Sequence, residues 1–147
     1  MTSCWLRPAT AQDAAAVRDL SRRARRELRA ARRDASEVDF GPHGHSWVVE
    51  AGRGEIVGCC RVGEGDGGRW EISELYLAVE WRGAGLGRAL AEQALRTARS
   101  HGALAVVMRV PADAAEGVGL ARRLGFADGG DEPDGVVLMV RTFVGAS

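Results

Sequence analysis

The spacing of apolar residues changes period several times along the chain, and each change marks a predicted element. Cys4 to Arg7 reads as a short strand stopped by Pro8. Thr10 then caps a helix, with Asp13 three residues on in the place of a capping-box Glu or Gln. Val17, Leu20, Ala24, Leu28 and Ala31 recur by three and four along one face of that helix. Its character fades over 34–39, and Gly41-Pro42-His43-Gly44 reads as a loop. His45 to Ala51 alternates as a strand, Gly52 to Glu55 turns the chain, and Ile56 to Val62 returns. Gly63 to Gly68 makes a second turn, and Arg69 to Val79 completes an antiparallel meander. Leu86, Leu90, Ala94, Leu95 and Ala98 then restore helical spacing over Leu86 to Ser100, closed by Gly102. Leu104 to Val110 is apolar almost throughout, as a strand covered on both faces would be, and Pro111 ends it. Ala114 to Leu124 is a weaker helix carrying Gly117 and Gly119. Acidic Ala127 to Gly135 reads as a loop, Val136 to Phe143 as the last strand, and 144–147 as a tail.

The predicted order is β-α(α)-β-β-β-α-β-α-β, with no internal repeat and no linker-like segment. A helix separates the strand Arg69–Val79 from Leu104–Val110, so those two pair in parallel. The expected fold class is α/β in the α+β sense: a mixed, mostly antiparallel sheet with helices on both faces. At 147 residues the chain is expected to form one domain over 1–147. Strict alternation along Arg69–Val79 places Glu71 on one side with Ser73, Leu75 and Leu77. It places Glu74 on the other side with Ile72 and Tyr76.

Composition narrows the class without fixing the chemistry. With 46% hydrophobic residues the chain can fill a core, and 20 basic against 20 acidic residues leave no global signature of a nucleic-acid partner. Every basic residue is Arg, and eight of them fall between 18 and 33 against Asp19 and Glu27. The plain reading of that run is a solvated helix face; the sharper one is a basic wall for an acidic acceptor or cofactor phosphates. Cys4, Cys59 and Cys60 match neither a disulfide framework nor a metal-ligand spacing, so they are expected as core thiols and no metal is expected. No apolar run approaches the roughly 20 residues that span a bilayer. The N-terminus has no apolar signal core, so a cytoplasmic protein without a membrane partner is expected.

The chemistry concentrates in one turn. Arg82-Gly83-Ala84-Gly85-Leu86-Gly87-Arg88 joins a predicted strand to a predicted helix, with glycine at alternating positions. Backbone N–H groups in so bare a turn converge on a small volume, and the helix N-terminus adds partial positive charge, which together make a seat for phosphate. A Cβ at 83, 85 or 87 is expected to crowd that approach. The plain alternative is a tight strand-to-helix connection with no ligand. The glycine-rich turns at 52–55 and 63–68 join strand to strand and lack the context of a phosphate loop.

At this point the chain resembles the GNAT superfamily of acyl-CoA-dependent N-acyltransferases. The carrying residues are Arg82-Gly83-Ala84-Gly85-Leu86-Gly87, which fit its Gln/Arg-x-x-Gly-x-Gly signature. Leu75-Tyr76-Leu77-Ala78-Val79-Glu80-Trp81 is similar to the strand before it, with Val79 where Pro is common. Leu6-Arg7-Pro8-Ala9-Thr10 with Asp13 and Leu124-Gly125-Phe126 match the family's opening and its late helix-to-strand ending. The resemblance implies a sheet of six or seven strands whose parallel pair splays at a bulge. It implies acetyl-CoA as acyl donor, with the pyrophosphate at Arg82, Gly83, Ala84, Gly85, Leu86, Gly87 and Arg88. Pantetheine then runs along Leu77, Ala78 and Val79. It further implies an amine acceptor attacking directly in a ternary complex, and leaves open a homodimer, an assembly common among look-alikes.

Acyl transfer to an amine needs a base, a polarised carbonyl and a protonated leaving thiolate. Glu71 matches a position where many members carry a base-like Glu, and Glu74 is the second candidate. His43 and His45 lie in a loop that borders the acceptor site in such folds; the plain reading is solvated imidazoles. Trp47, Trp70 and Trp81 read as packing residues. Cys59 and Cys60 would matter only in a ping-pong scheme and have no paired base. The chain departs from the family where many members carry a general-acid Tyr: Ala121 follows Leu120, and Ala114 replaces the usual opening Asn of that helix. General-acid help is worth ~10²–10⁴-fold, so its loss weakens the chemistry without abolishing it. The alternative reading is a catalytically degenerate acyl-CoA-binding sensor or partner subunit.

Overall fold

The protein is described by a computed structural model covering residues 3–27, 44–133 and 135–143. Its elements, in chain order, are β1 Cys4–Pro8, α1 Ala14–Glu27, β2 His45–Ala51, β3 Glu55–Glu64, β4 Arg69–Leu77, α2 Leu86–Ser100, β5 Ala105–Pro111, α3 Ala115–Arg123, β6 Ala127–Glu132 and β7 Val136–Thr142. They form one sheet in the order β1-β2-β3-β4-β5-β7-β6. Every neighbouring pair is antiparallel except β4 with β5. The α+β class, the mostly antiparallel sheet and the single parallel pair therefore stand as expected. Among the described residues no helix is long and apolar enough to cross a membrane.

Two elements differ from the sequence reading. Ala127–Glu132 is an edge strand on β7 rather than a loop. Its Ala-Asp-Gly-Gly-Asp-Glu composition disfavours strand, and pairing with apolar β7 overrides that preference, while the edge position tolerates the charges. β4 ends at Leu77, and Val79–Trp81 is a 3₁₀ turn with Val79 58% exposed. The apolar positions Leu28 and Ala31 and the loop residue His43 lie outside the described residues.

Pairing register sorts the helices onto faces. Val48 pairs with Arg7 on one side and Cys59 on the other, so these three and Glu50 share a face. Arg7 donates to both carboxylate oxygens of Asp13, at 2.8 and 2.9 Å, and to Glu50 Oε1 at 2.9 Å. The start of α1 is thereby tied to that face. The opposite face carries Trp47, Cys60 and Gly58, and a Cβ on Gly58 would lie 3.3 Å from Leu90 of α2. A Cβ on Gly117 of α3 would lie 3.0 Å from Val110, which places α3 beside α2. Between the layers Leu20, Val48, Val57, Val62, Leu90, Val106 and Met139 are fully buried. Arg18, Arg22 and Arg23 of α1 are exposed, and the side chains of the other arginines of that run lie outside the described residues.

Asp13 also accepts the Thr10 backbone N–H at 2.7 Å, completing the capping pair expected at the start of the first helix. The Arg7 guanidinium first, and then that N–H, hold its carboxyl well below the usual carboxylate range. Because the folded-state pKa is depressed, the group stabilises the fold above the unfolded value near ~3.9 and loses that contribution as pH falls. Asp13→Ala should therefore lower the unfolding free energy by about 1–3 kcal/mol at pH 7 in denaturant titrations. The gap to the parent protein should shrink steadily below pH ~4; a gap independent of pH would assign the loss to packing instead.

Candidate active site

The turn between β4 and α2 is shaped by backbone conformation. Gly83 and Gly85 have φ of 84° and 82°, a region that costs an L-residue about 1–2 kcal/mol. A Cβ at either would meet nothing within 4 Å, so the crowding expected there does not come from protein atoms. Gly87 differs. A Cβ on it would lie 3.3 Å from Leu77 and 3.5 Å from Leu120, so its bareness lets α2 sit close to β4 and α3. Gly85 is the N-cap of α2, and no side chain caps that terminus. The first N–H groups of the helix thus have no side-chain acceptor, with Arg82, Gly83 and Ala84 exposed just before them. Arg88 projects from the first turn and pairs with Glu92 at 2.9 Å. Arg82 folds back to donate to the Leu77 carbonyl from Nε at 3.3 Å and Nη2 at 3.1 Å. Ala78 is buried and commits its N–H to Val57.

Beside the turn the sheet opens. Parallel rungs join β4 to β5 only from Arg69–Ala105 to Ile72–Met108. Beyond that rung β4 stays paired to β3 as far as Leu77–Gly58, and β5 stays paired to β7 as far as Pro111–Val136. The inner ladder ends while both outer ladders continue, which leaves a wedge between the strands.

Ser73, the residue after the last rung, has no partner on β3: Ile72 pairs with Val62, and Glu74 already with Arg61. This bulge overturns the strict alternation expected along β4. Glu71, Glu74 and Tyr76 face Gly63, Arg61 and Cys59 and share the α1 face, whereas Ile72, Leu75 and Leu77 share the α2 face. The two candidate bases are therefore on the same side, not opposite ones.

Each carboxylate stands beside a guanidinium. Glu71 is ion-paired with Arg109, which stands one residue past the last rung on β5. Arg109 also reaches Glu132 of β6 at 3.5 Å. Glu74 lies directly across the ladder from Arg61.

Comparisons with known proteins give the family and the fold. The model for the acetyltransferase (GNAT) family matches residues 13–126. The chain belongs to the GNAT family of acetyltransferases. A GNAT acetyltransferase from Staphylococcus aureus Mu50 is similar in fold, with a TM-score of 0.80 at 9% identity over 95% of this chain and 99% of that one. A PaiA N-acetyltransferase from Thermoplasma acidophilum, solved in complex with coenzyme A, gives 0.75 at 14% identity, over 96% and 99%. The ribosomal-protein-S18-alanine N-acetyltransferase from Escherichia coli gives 0.75 at 15%, over 99% and 97%. No curated protein matches the chain at a significant level.

Ala121, where many members carry Tyr, is fully buried, and its carbonyl accepts the Phe126 N–H at 2.9 Å. Ala114 is the N-cap of α3 and supplies no capping side chain. Cys59 and Cys60 are buried thiols; burial first, then the charge on Glu74, pushes Cys59 up to about 12. Cys60 is raised by burial too. Neither is poised as a thiolate nucleophile. Among the described residues no group of three or more His, Cys, Asp or Glu could hold a metal ion.

Sequence reading missed Ser73, Arg61, Arg109 and Glu132. Two signals were available: the apolar spacing Trp70, Ile72, Leu75, Leu77 breaks alternation at the bulge, and Arg109 is the one charged residue in an apolar strand.

His45 lies away from the wedge. Its ring stacks with Trp47 at 6.2 Å and Trp70 at 5.9 Å and tilts against His101 at 4.8 Å, at the far end of α2 from the turn. Burial, and then the charge of His101, lower its pKa. The folded protein therefore binds this proton less readily than the unfolded chain, and stability falls as pH drops through ~6.5. Melting temperature should decline from pH 7.5 to 5.5, and His45→Gln should flatten that slope. An unchanged slope would move the effect to another group.

Proposed function

We propose that the protein transfers an acetyl group from acetyl-CoA to a primary amine by direct attack in a ternary complex. The observation that carries this reading is the uncapped N-terminus of α2, with its left-handed glycines, opening beside the wedge between β4 and β5 in a GNAT chain. The seat fits a pyrophosphate: N–H donors and a helix dipole lie where a Cβ on Gly83 or Gly85 would meet no protein atom within 4 Å. In this reading Arg82 through Arg88 surround the pyrophosphate. Leu77, Ala78 and Val79 border the pantetheine, with the backbone groups of Leu77 and Val79 the ones offered to it. Arg82 exchanges the Leu77 carbonyl for a phosphate oxygen, a stronger acceptor for a guanidinium. The thioester then lies in the wedge, and the amine approaches from the α1 face.

Glu71 is the proposed base, directly or through water, with Arg109 fixing its orientation; Glu74 is the second candidate on the same face. No phenol stands at Ala121, and the thiolate of CoA is a tolerable leaving group near neutral pH without one. The whole chain, 1–147, acts as a single catalytic domain in this reading.

The test is release of CoA thiol from acetyl-CoA across amines, polyamines, amino acids, aminoglycosides and peptide N-termini. Acceptor-dependent release by at least one class is expected, and Glu71→Gln should lower kcat by ~10²–10⁴-fold. Gly85→Glu, which places a carboxylate at the anion seat and strains the turn, should remove the thermal shift produced by acetyl-CoA. A thermal shift without release on any amine would instead mark a protein that binds acyl-CoA without turning it over.

A further inference from the structure

We infer that Ser73 is a catalytic residue: its hydroxyl hydrogen-bonds the thioester oxygen of the acyl donor as the amine adds. The inference rests on the acetyl-transfer reading and deepens it, because it supplies a donor in a site where the usual phenol is missing. Three observations meet at this residue. Ser73 is the extra residue of the β4 bulge, without a partner on β3. It directly follows the final rung to β5, so it stands at the vertex of the wedge. Its Oγ is buried from solvent and has no hydrogen-bond partner.

A buried hydroxyl with no partner is rare, because it loses its water and gains nothing in return. A small apolar residue would fill the bulge without that penalty. Orphaned polar groups persist where function opposes stability, as donors held ready for charge that appears only during reaction. The vertex is where such charge would appear. The amine nitrogen bonds to the carbonyl carbon, and the π electrons move to oxygen, where the Ser73 O–H donates. The oxygen electron pair then re-forms the C=O bond as the C–S bond breaks with its electron pair passing to the CoA sulfur, and the amine proton leaves to the base. Ser73 forms no covalent bond and keeps its proton, since an aliphatic alcohol is too weak an acid to protonate a thiolate outright. Tyr76, the only tyrosine of the chain, pairs with Cys59 further along β4 and faces α1.

Steady-state kinetics with acetyl-CoA and the best amine from the panel, together with calorimetric melting, test the assignment. Ser73→Ala should lower kcat by ~10²-fold, the cost of one oxyanion donor. The KM for acetyl-CoA should stay unchanged, and the melting temperature should hold or rise. Ser73→Thr, which keeps a hydroxyl, should recover most of the loss. Unchanged kcat in Ser73→Ala would overturn the inference and leave acetyl transfer standing. A fall in kcat matched by a fall in melting temperature, without recovery by threonine, would overturn it too, by assigning Ser73 a packing role. If Ser73→Ala fails to fold, Ser73→Thr against Ser73→Val makes the same comparison, since the two differ in the hydroxyl at nearly equal shape. Absence of release by the parent protein with every amine would defeat the transferase reading itself, and this inference with it.

Discussion

A strand in the middle of a sheet has two edges, and β4 uses them unequally. Its edge toward β3 is paired along the whole strand, but its edge toward β5 stops at the rung between Ile72 and Met108. One inserted residue, Ser73, marks the change. The extra residue bends the strand and shifts its twist, so β4 and β5 cannot both stay parallel to each other and keep their outer partners. The sheet resolves this by opening the inner pair. The wedge, the position of the glycine turn at its mouth and the grouping of charged side chains beneath it all depend on that choice.

The bulge also decides which groups can act together. Alternation along an unbroken strand would hold Glu71 and Glu74 on opposite faces. With Ser73 inserted they share one, together with Arg61 across the ladder, and Arg109 and Glu132 from the neighbouring strands. Charged pairs of this kind, on half-exposed side chains, contribute little to stability, about 0–1 kcal/mol each. Their value lies in orientation. An Arg109 that bridges Glu71 and Glu132 links β4 to β6 across the stretch where backbone rungs between β4 and β5 have ended. On the other face α2 delivers its uncapped N-terminus to the same wedge, kept close to β4 by the bare Gly87. The helix terminus and the charged group thus lie on opposite faces of the sheet, beside the place where it parts.

Stability is supplied away from this region. The Arg7–Asp13–Glu50 cluster ties the first strand, the start of α1 and β2 together at one edge. The His45, Trp47, Trp70 and His101 rings pack at the far end of α2. The vertex itself carries an orphaned hydroxyl where the inner backbone rungs end, a feature that persists only when the surrounding core over-determines it.

By itself the sequence determined whatever depends on local spacing. The 3.6- and 2-residue periods located the helices and nearly all strands, the capping pair at Thr10 and Asp13 placed the start of the first helix, and the alternating glycines marked the turn between β4 and α2. It also foretold the burial of Cys59 and Cys60, though not the half-exposed Cys4, and the parallel pairing of β4 with β5, because a helix must intervene between parallel neighbours. Only the tertiary structure decided the rest. Ala127–Glu132 became a strand because β7 offered an edge, not because its Asp and Gly residues prefer one. Gly83 and Gly85 proved to serve conformation, and Gly87 to serve packing, a distinction set by residues far away in sequence. The side on which Glu74 points, and the guanidinium beside Glu71, follow from one unpaired residue and from strands more than thirty positions apart. A single insertion in a ladder reverses every later side chain, and the broken spacing Trp70, Ile72, Leu75, Leu77 takes its meaning only from the pairing with β3.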